Sequence, residues 1–201
     1  MLDIVNKLDL RNKNILDIGC YDGTFLSLIE NRNNNFYGID ANDYAVRKAK
    51  EKGINVKKFF FNDESKIPFE NNFFDLIIAG EIIEHIYDTD FFLDEIYRLL
   101  KKDGFLILST PNLASFGRRL MLLLGINPII ECSPNEKDSS GHIRYFTFKT
   151  LEHLLRKHRF NIVLKRSDLV NFTRNGKIKS YFLANNIKSI GQSIVCFCDK
   201  Q

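Results

Sequence analysis

Short apolar runs and helix-spaced apolar stripes take turns along this chain. Residues 13–19, 35–40, 56–61, 74–79 and 105–109 carry the runs, and each predicts a strand. The run at 74–79 is continuous, as expected of a strand covered on both faces. Between the runs, residues 24–30, 44–52 and 89–100 read as helices. In the last of these Phe92, Leu93, Ile96, Leu99 and Leu100 share one face. Gly53 is placed to cap the second helix, and Lys102-Asp103-Gly104 reads as a turn after the third. Pro111 halts the fifth strand. A helix at 148–158 then precedes two last strands, 160–165 and 192–198, expected as an antiparallel hairpin at a sheet edge. Strand and helix in alternation predict βαβ units and a doubly wound α/β sheet.

Residues 112–146 break this rhythm with a basic, apolar segment followed by a polar loop. An insertion after the fifth strand lies over the carboxyl ends of the strands, where such sheets bind ligands. We therefore read one domain over residues 1–201, with 112–146 as a substrate-facing lid. The length, 201 residues, suits a single full core.

The charge, +4 from 29 basic and 25 acidic residues, permits an anionic acceptor without demanding nucleic acid. Residues 1–10 lack the apolar core of a signal peptide. The longest apolar stretch, 120–130, is broken by Gly125, Asn127 and Pro128 and is too short to span a bilayer. The expected location is the cytoplasm. There Cys20, Cys132, Cys196 and Cys198 would be reduced structural thiols, since Cys196 and Cys198 have a poor zinc spacing.

Candidate chemistry starts at residues 15–25, I-L-D-I-G-C-Y-D-G-T-F. A glycine loop between strand and helix lets the backbone approach a ligand. This loop also holds Asp17 and Asp22, which would repel a pyrophosphate and attract a cation. Gly19 and Gly23 form G-x-x-x-G, unlike the dinucleotide fingerprint. S-adenosylmethionine, with its sulfonium and ammonium, fits better than NAD. Asp40, which ends the second strand, is placed to accept hydrogen bonds from ribose hydroxyls; the alternative is a helix cap at Asn42. Asn62-Asp63-Glu64 follows the third strand, where a carboxylate can meet an adenine amine or simply sit in a solvated turn.

Together, I-L-D-I-G-C-Y-D-G, Y-G-I-D, N-D-E-S-K-I-P-F, F-D-L-I-I-A-G-E-I-I-E-H-I and L-K-K-D-G-F-L-I-L-S-T-P-N resemble class I S-adenosylmethionine-dependent methyltransferases over about residues 13–165. The resemblance implies a seven-stranded Rossmann-like sheet of order 3-2-1-4-5-7-6 with the seventh strand antiparallel. It implies a cofactor set of Asp17, Gly19, Cys20, Asp22 and Gly23 around the methionine part, and Asp40 with Ala41 at the ribose. Asp63 would meet the adenine, and Ala79, Gly80 and Glu81 the sulfonium. Tyr21 stands where the family usually has glycine.

Glu81-Ile82-Ile83-Glu84-His85, read as a first helical turn, would put 81, 84 and 85 on one face. Two carboxylates and an imidazole suit a divalent metal, Mg or Mn by the oxygens, Zn or Fe by the histidine. His142, in G-H-I-R-Y-F-T, is the candidate fourth ligand. The layout is similar to small-RNA 2′-O-methyltransferases and to UbiG-like quinone O-methyltransferases. Without metal, His142 or His85 is the candidate general base, because a hydroxyl is a poor nucleophile until its proton leaves. Residues 116–124 read either as an amphipathic lid or, more plainly, as a core-packing helix with solvated arginines. His153 and His158 read as structural. The function expected is O-methylation of a small-molecule or glycan acceptor. RNA 2′-O-methylation is a rival, as is a partner protein that binds the cofactor without turning it over.

Overall fold

The computed structural model describes residues 1–61, 65–129, 141–172 and 178–201. Seven strands form its main sheet: β1 (Asn14–Ile18), β2 (Asn35–Asp40), β3 (Asn55–Lys58), β4 (Phe74–Gly80), β5 (Leu100–Pro111), β6 (Phe160–Arg166) and β7 (Ser193–Lys200). Their spatial order is β3-β2-β1-β4-β5-β7-β6. β1 to β5 run parallel, and β7 is antiparallel to both β5 and β6. The expected final pair exists, with β6 alone at the edge. Helices α1 (Leu2–Lys7), α2 (Thr24–Ser27), α3 (Asp43–Glu51), α4 (Thr89–Leu99), α5 (Phe116–Leu123), α6 (Phe148–Lys157) and α7 (Tyr181–Asn186) complete it, with a two-stranded ribbon at Val170–Asn171 and Lys179–Ser180.

Side chains alternate along each strand, so the sheet has two apolar faces. Leu16, Ile18, Ile77, Ala79, Leu106 and Leu108 pack under α4 and α6. Ile15, Leu76, Ile78 and Ile107 pack under α1, α2 and α3. The helical stripe works as its spacing predicts: Phe92, Leu93, Ile96 and Leu99 are all fully buried. Asp88 caps α4 by accepting from Phe91 N–H at 2.9 Å. Gly53 ends α3 in the left-handed conformation, φ +78°.

Several local features depart from the sequence reading. α1 has too short an amphipathic pattern to stand out in the sequence, and it forms because Ile4 and Val5 are buried against the sheet. The turn at Lys102-Asp103-Gly104 is absorbed into β5, where the register jumps between the pairs Phe74–Leu100 and Leu76–Phe105. The third strand stops at Lys58, so residues 59–61 lie beyond it, with Phe59 N–H still donating to the Asp40 carbonyl at 2.9 Å. Lastly, α5 buries none of its residues, while Leu120, Leu122, Leu123 and Leu124 are exposed. Its arginines are the tethered part: Arg118 donates to the Asn112 carbonyl at 3.0 Å, and Arg119 to those of Ala114 and Ser189. The core-packing reading of 116–124 therefore inverts, because backbone carbonyls hold the cations and no second layer covers the leucines among the described residues.

Candidate cofactor and acceptor site

β1 and β4 are neighbours at the point where the sheet order reverses, and their carboxyl ends open a crevice there. The loop leaving β1 is shaped by glycine. Gly19 has φ +76° and Gly23 φ +74°, and a Cβ on Gly23 would lie 2.3 Å from Ile54 Cδ1. Gly19 and Cys20 N–H both donate to the Ile39 carbonyl, so the loop is sewn to β2. Cys20 is buried, and burial pushes its thiol up to about 12, which makes it a packing group. Gly19 abuts the opposite loop, since a Cβ there would come within 3.2 Å of Ile82 Cδ1.

The three acids of this region differ in state. Asp17 shares the face of Ile15 and is 5% exposed. Burial first, then the nearby Asp40, raises its pKa to about 8. Asp22 is drawn to about 2, first by its bond to Lys52 and then by Thr24. Lys52 Nζ sits 2.8 Å from its Oδ2, so its charge is already balanced. No local pattern could reveal this, because Lys52 is a surface cation at the end of another helix. Asp40 accepts from Tyr21 N–H at 2.8 Å through one oxygen and from Asn42 N–H at 2.8 Å through the other. The cap of α3 is Asn42 itself, which accepts from Tyr44 and Ala45 N–H. Ala41 is exposed beside them. Asp63 lies outside the described residues.

Across the crevice, Ala79 is buried and Gly80 is narrow because Met1 Cε lies where its Cβ would be, 2.6 Å away. Glu81 has φ +50°, and its Oε1 accepts from Ser109 Oγ at 2.8 Å. Burial raises its pKa. The helical turn expected at 81–85 is instead a 3-10 turn, Ile83–His85. That tighter turn starts after Glu81, and the left-handed residue aims its carboxylate at β5.

Glu84, His85 and His142 do come together, with one ligand atom from each within 4.8 Å of the others; Glu81 is not in the group. The main chain arranges this. Ile143 and Arg144 N–H both donate to the Glu84 carbonyl, at 2.9 and 3.0 Å. Farther along, Leu113 N–H bonds the Phe146 carbonyl, which pins the two ends of 112–146 to each other. His85 Nδ1 lies 3.2 Å from the Gly141 carbonyl, and the two imidazole rings meet edge-on at 4.8 Å. Glu84 is 1% exposed. Its Oε2 accepts from Thr110 Oγ1 at 2.9 Å, a partner with no sequence signal. Its Oε1 accepts no hydrogen bond among the described residues and stands 3.9 Å from His142 Nε2. Burial raises the Glu84 pKa to about 7.

The other histidine of interest is structural in its contacts. His158 is held between Asp90 at 2.6 Å and Asp94 at 2.8 Å, which ties α6 to α4.

Known proteins resemble this chain in fold and in sequence. A methyltransferase of Methanosarcina mazei described as SAM-dependent superposes with a TM-score of 0.71 at 21% identity, covering 100% of this chain and 98% of that one. A ubiquinone biosynthesis O-methyltransferase of Pelagibacter ubique is 33% identical over 108 residues, 51% of this chain and 44% of its own. The mitochondrial arginine-hydroxylase NDUFAF5 of Mus musculus is 26% identical over 180 residues, 89% of this chain and 50% of its own. The chain thus spans about half the length of these two curated relatives. The family described as a methyltransferase domain matches residues 1–165. On that match, and with this sheet order and glycine loop, the chain belongs to the S-adenosylmethionine-dependent methyltransferase-domain family.

Proposed function

We propose that this protein transfers a methyl group from S-adenosylmethionine to an oxygen of a small-molecule acceptor. The described parts of the insertion, residues 112–129 and 141–146, form one wall of the acceptor site, and Glu84, His85 and His142 form its reactive floor. One observation carries this reading: the buried Glu84 Oε1, lacking a hydrogen bond among the described residues, beside His142. An unsatisfied buried carboxylate oxygen costs about 1–3 kcal/mol, so it implies an external partner. That partner is an acceptor hydroxyl or a cation that holds one.

The donor set fits a divalent cation. Glu84, His85 and His142 would hold it, and two imidazoles with one carboxylate suit Mn, Fe or Zn better than Mg. Such an ion would lower the pKa of a bound acceptor hydroxyl. The protein's own part is orientation and proton handling. Thr110 fixes the Glu84 carboxylate by bonding Oε2, which leaves Oε1 toward His142. Where no ion is bound, His142 is instead placed to take the acceptor proton, since the 143–144 amides hold its segment against Glu84. On the cofactor side, Asp40 supplies the carboxylate that suits a cationic methyl donor, while the buried Asp17 keeps its proton up to about pH 8. Transfer is an in-line displacement, so positioning supplies much of the acceleration.

The name of the Pelagibacter relative supports an aromatic hydroxyl as acceptor. We expect Glu84→Gln and His142→Ala each to slow methylation of an ortho-dihydroxy aromatic at least a hundredfold. Calorimetry should find S-adenosylhomocysteine binding unchanged in both. Parent-like rates in either variant would remove that residue from the chemistry. Salt-sensitive binding and methylation of RNA would move the acceptor to the RNA class. Hydroxylation of a peptide arginine, in the manner of the name of the Mus musculus relative, would replace methyl transfer altogether.

A further inference from the structure

Among the described residues with positive φ, most are Asn, Asp or Gly in turns. Tyr21 at φ +47°, Glu81 at φ +50° and Arg159 at φ +63° are different in kind, and the first two stand at the exits of β1 and β4, on the two sides of the crevice. The backbone at Tyr21 adopts the conformation in which glycine costs nothing, between two glycines that adopt it freely. Asp40 enforces it by accepting the Tyr21 N–H at 2.8 Å. The loop therefore carries a strained aromatic residue where a smaller one would serve the fold better.

The ring does not repay this by packing. Tyr21 is 58% exposed, and its ring has no aromatic or cation–π neighbour among the described residues. Strain retained at a ligand loop, with the side chain left unused by the core, points to a role in the bound state. The cofactor brings a flexible amino-acid chain with an ammonium to this loop, and an aromatic face attracts such a cation.

We infer that Tyr21 is a cofactor-positioning residue whose ring covers the methionine end of S-adenosylmethionine, with Asp40 holding the loop that presents it. This rests on the cofactor assignment made above. It also gives Asp40 a second task, so that loss of its carboxylate disturbs the loop as well as the ribose contact.

The test uses Tyr21→Gly and Tyr21→Phe, with S-adenosylhomocysteine and adenosine as probes in calorimetry and with thermal melting beside it. Tyr21→Gly should bind S-adenosylhomocysteine about tenfold more weakly, while its melting temperature rises by about 2 °C as the strain is relieved. Tyr21→Phe should bind within twofold of the parent. Adenosine, which lacks the methionine part, should bind all three alike. Equal S-adenosylhomocysteine affinity in Tyr21→Gly overturns the inference, as does an equal loss for adenosine. A melting temperature several degrees lower would make the ring a packing group and overturn it too. If the parent binds neither probe, the cofactor assignment itself fails, which is a distinguishable result.

Discussion

Single side chains in this protein take their character from their surroundings more than from their type. Asp17, Asp22 and Asp40 read alike as acids near a glycine loop, yet one is buried, one is paired with Lys52 and one binds two backbone amides. Asp17 sets up a clear pH dependence. Its pKa rises from 3.8 to about 8 on folding, so between those values the folded chain keeps a proton that the unfolded chain has lost. Its carboxyl favours folding least above that window, because the fold must then bury a charge. Stability contributed at this position accordingly falls as pH climbs from about 4 to about 8 and then levels off. We expect Asp17→Asn to raise the melting temperature, with a gain that widens across the same range. Melting curves at a series of pH values check this, and a gain independent of pH would show that Asp17 titrates normally.

Secondary elements had clear periodic signatures wherever they had an apolar face to bury, as α4 and β4 do. They were hidden where the partner lies far along the chain. α4 shows both sides. Its apolar stripe was readable, but no spacing marks Glu95, which is 4% exposed. Glu95 accepts from Arg98 at 2.7 Å and from Ile67 N–H at 2.8 Å, while Arg98 donates to the carbonyls of Ile67 and Phe69. This pair fastens the segment that leads from the expected adenine loop into β4. Removing one partner of a buried pair strands the other, so Glu95→Ala should cost about 3 kcal/mol in urea unfolding. A loss below about 1 kcal/mol would mean that water takes over these bonds. The five residues 81–85 make the opposite case. Their spacing suited a helix, and the 3-10 turn that formed kept Glu84 and His85 together but turned Glu81 toward Ser109.

The molecule as a whole is a sheet whose two faces are sealed by helices and whose open end collects the chemistry. Among the described residues no helix is long and apolar enough to cross a membrane. A ligand that binds only the folded state stabilises it by mass action. S-adenosylhomocysteine at a hundred times its dissociation constant should add about 2.7 kcal/mol and raise the melting temperature by roughly 5–10 °C. A melting curve that ignores saturating cofactor would mean that the crevice is closed to it. The two-faced core and the glycine loop were legible in the chain because each rests on local periodicity or on a backbone demand that few residues meet, while the strand order was implied by the family resemblance. The pairing of Asp22 with Lys52 and the bond from Thr110 to Glu84 were not legible, and His142 was named as a partner for Glu84 and His85 with no local pattern to fix the contact. Those contacts join side chains from 26 to 58 residues apart, and only the packed backbone decides which of many polar groups meet.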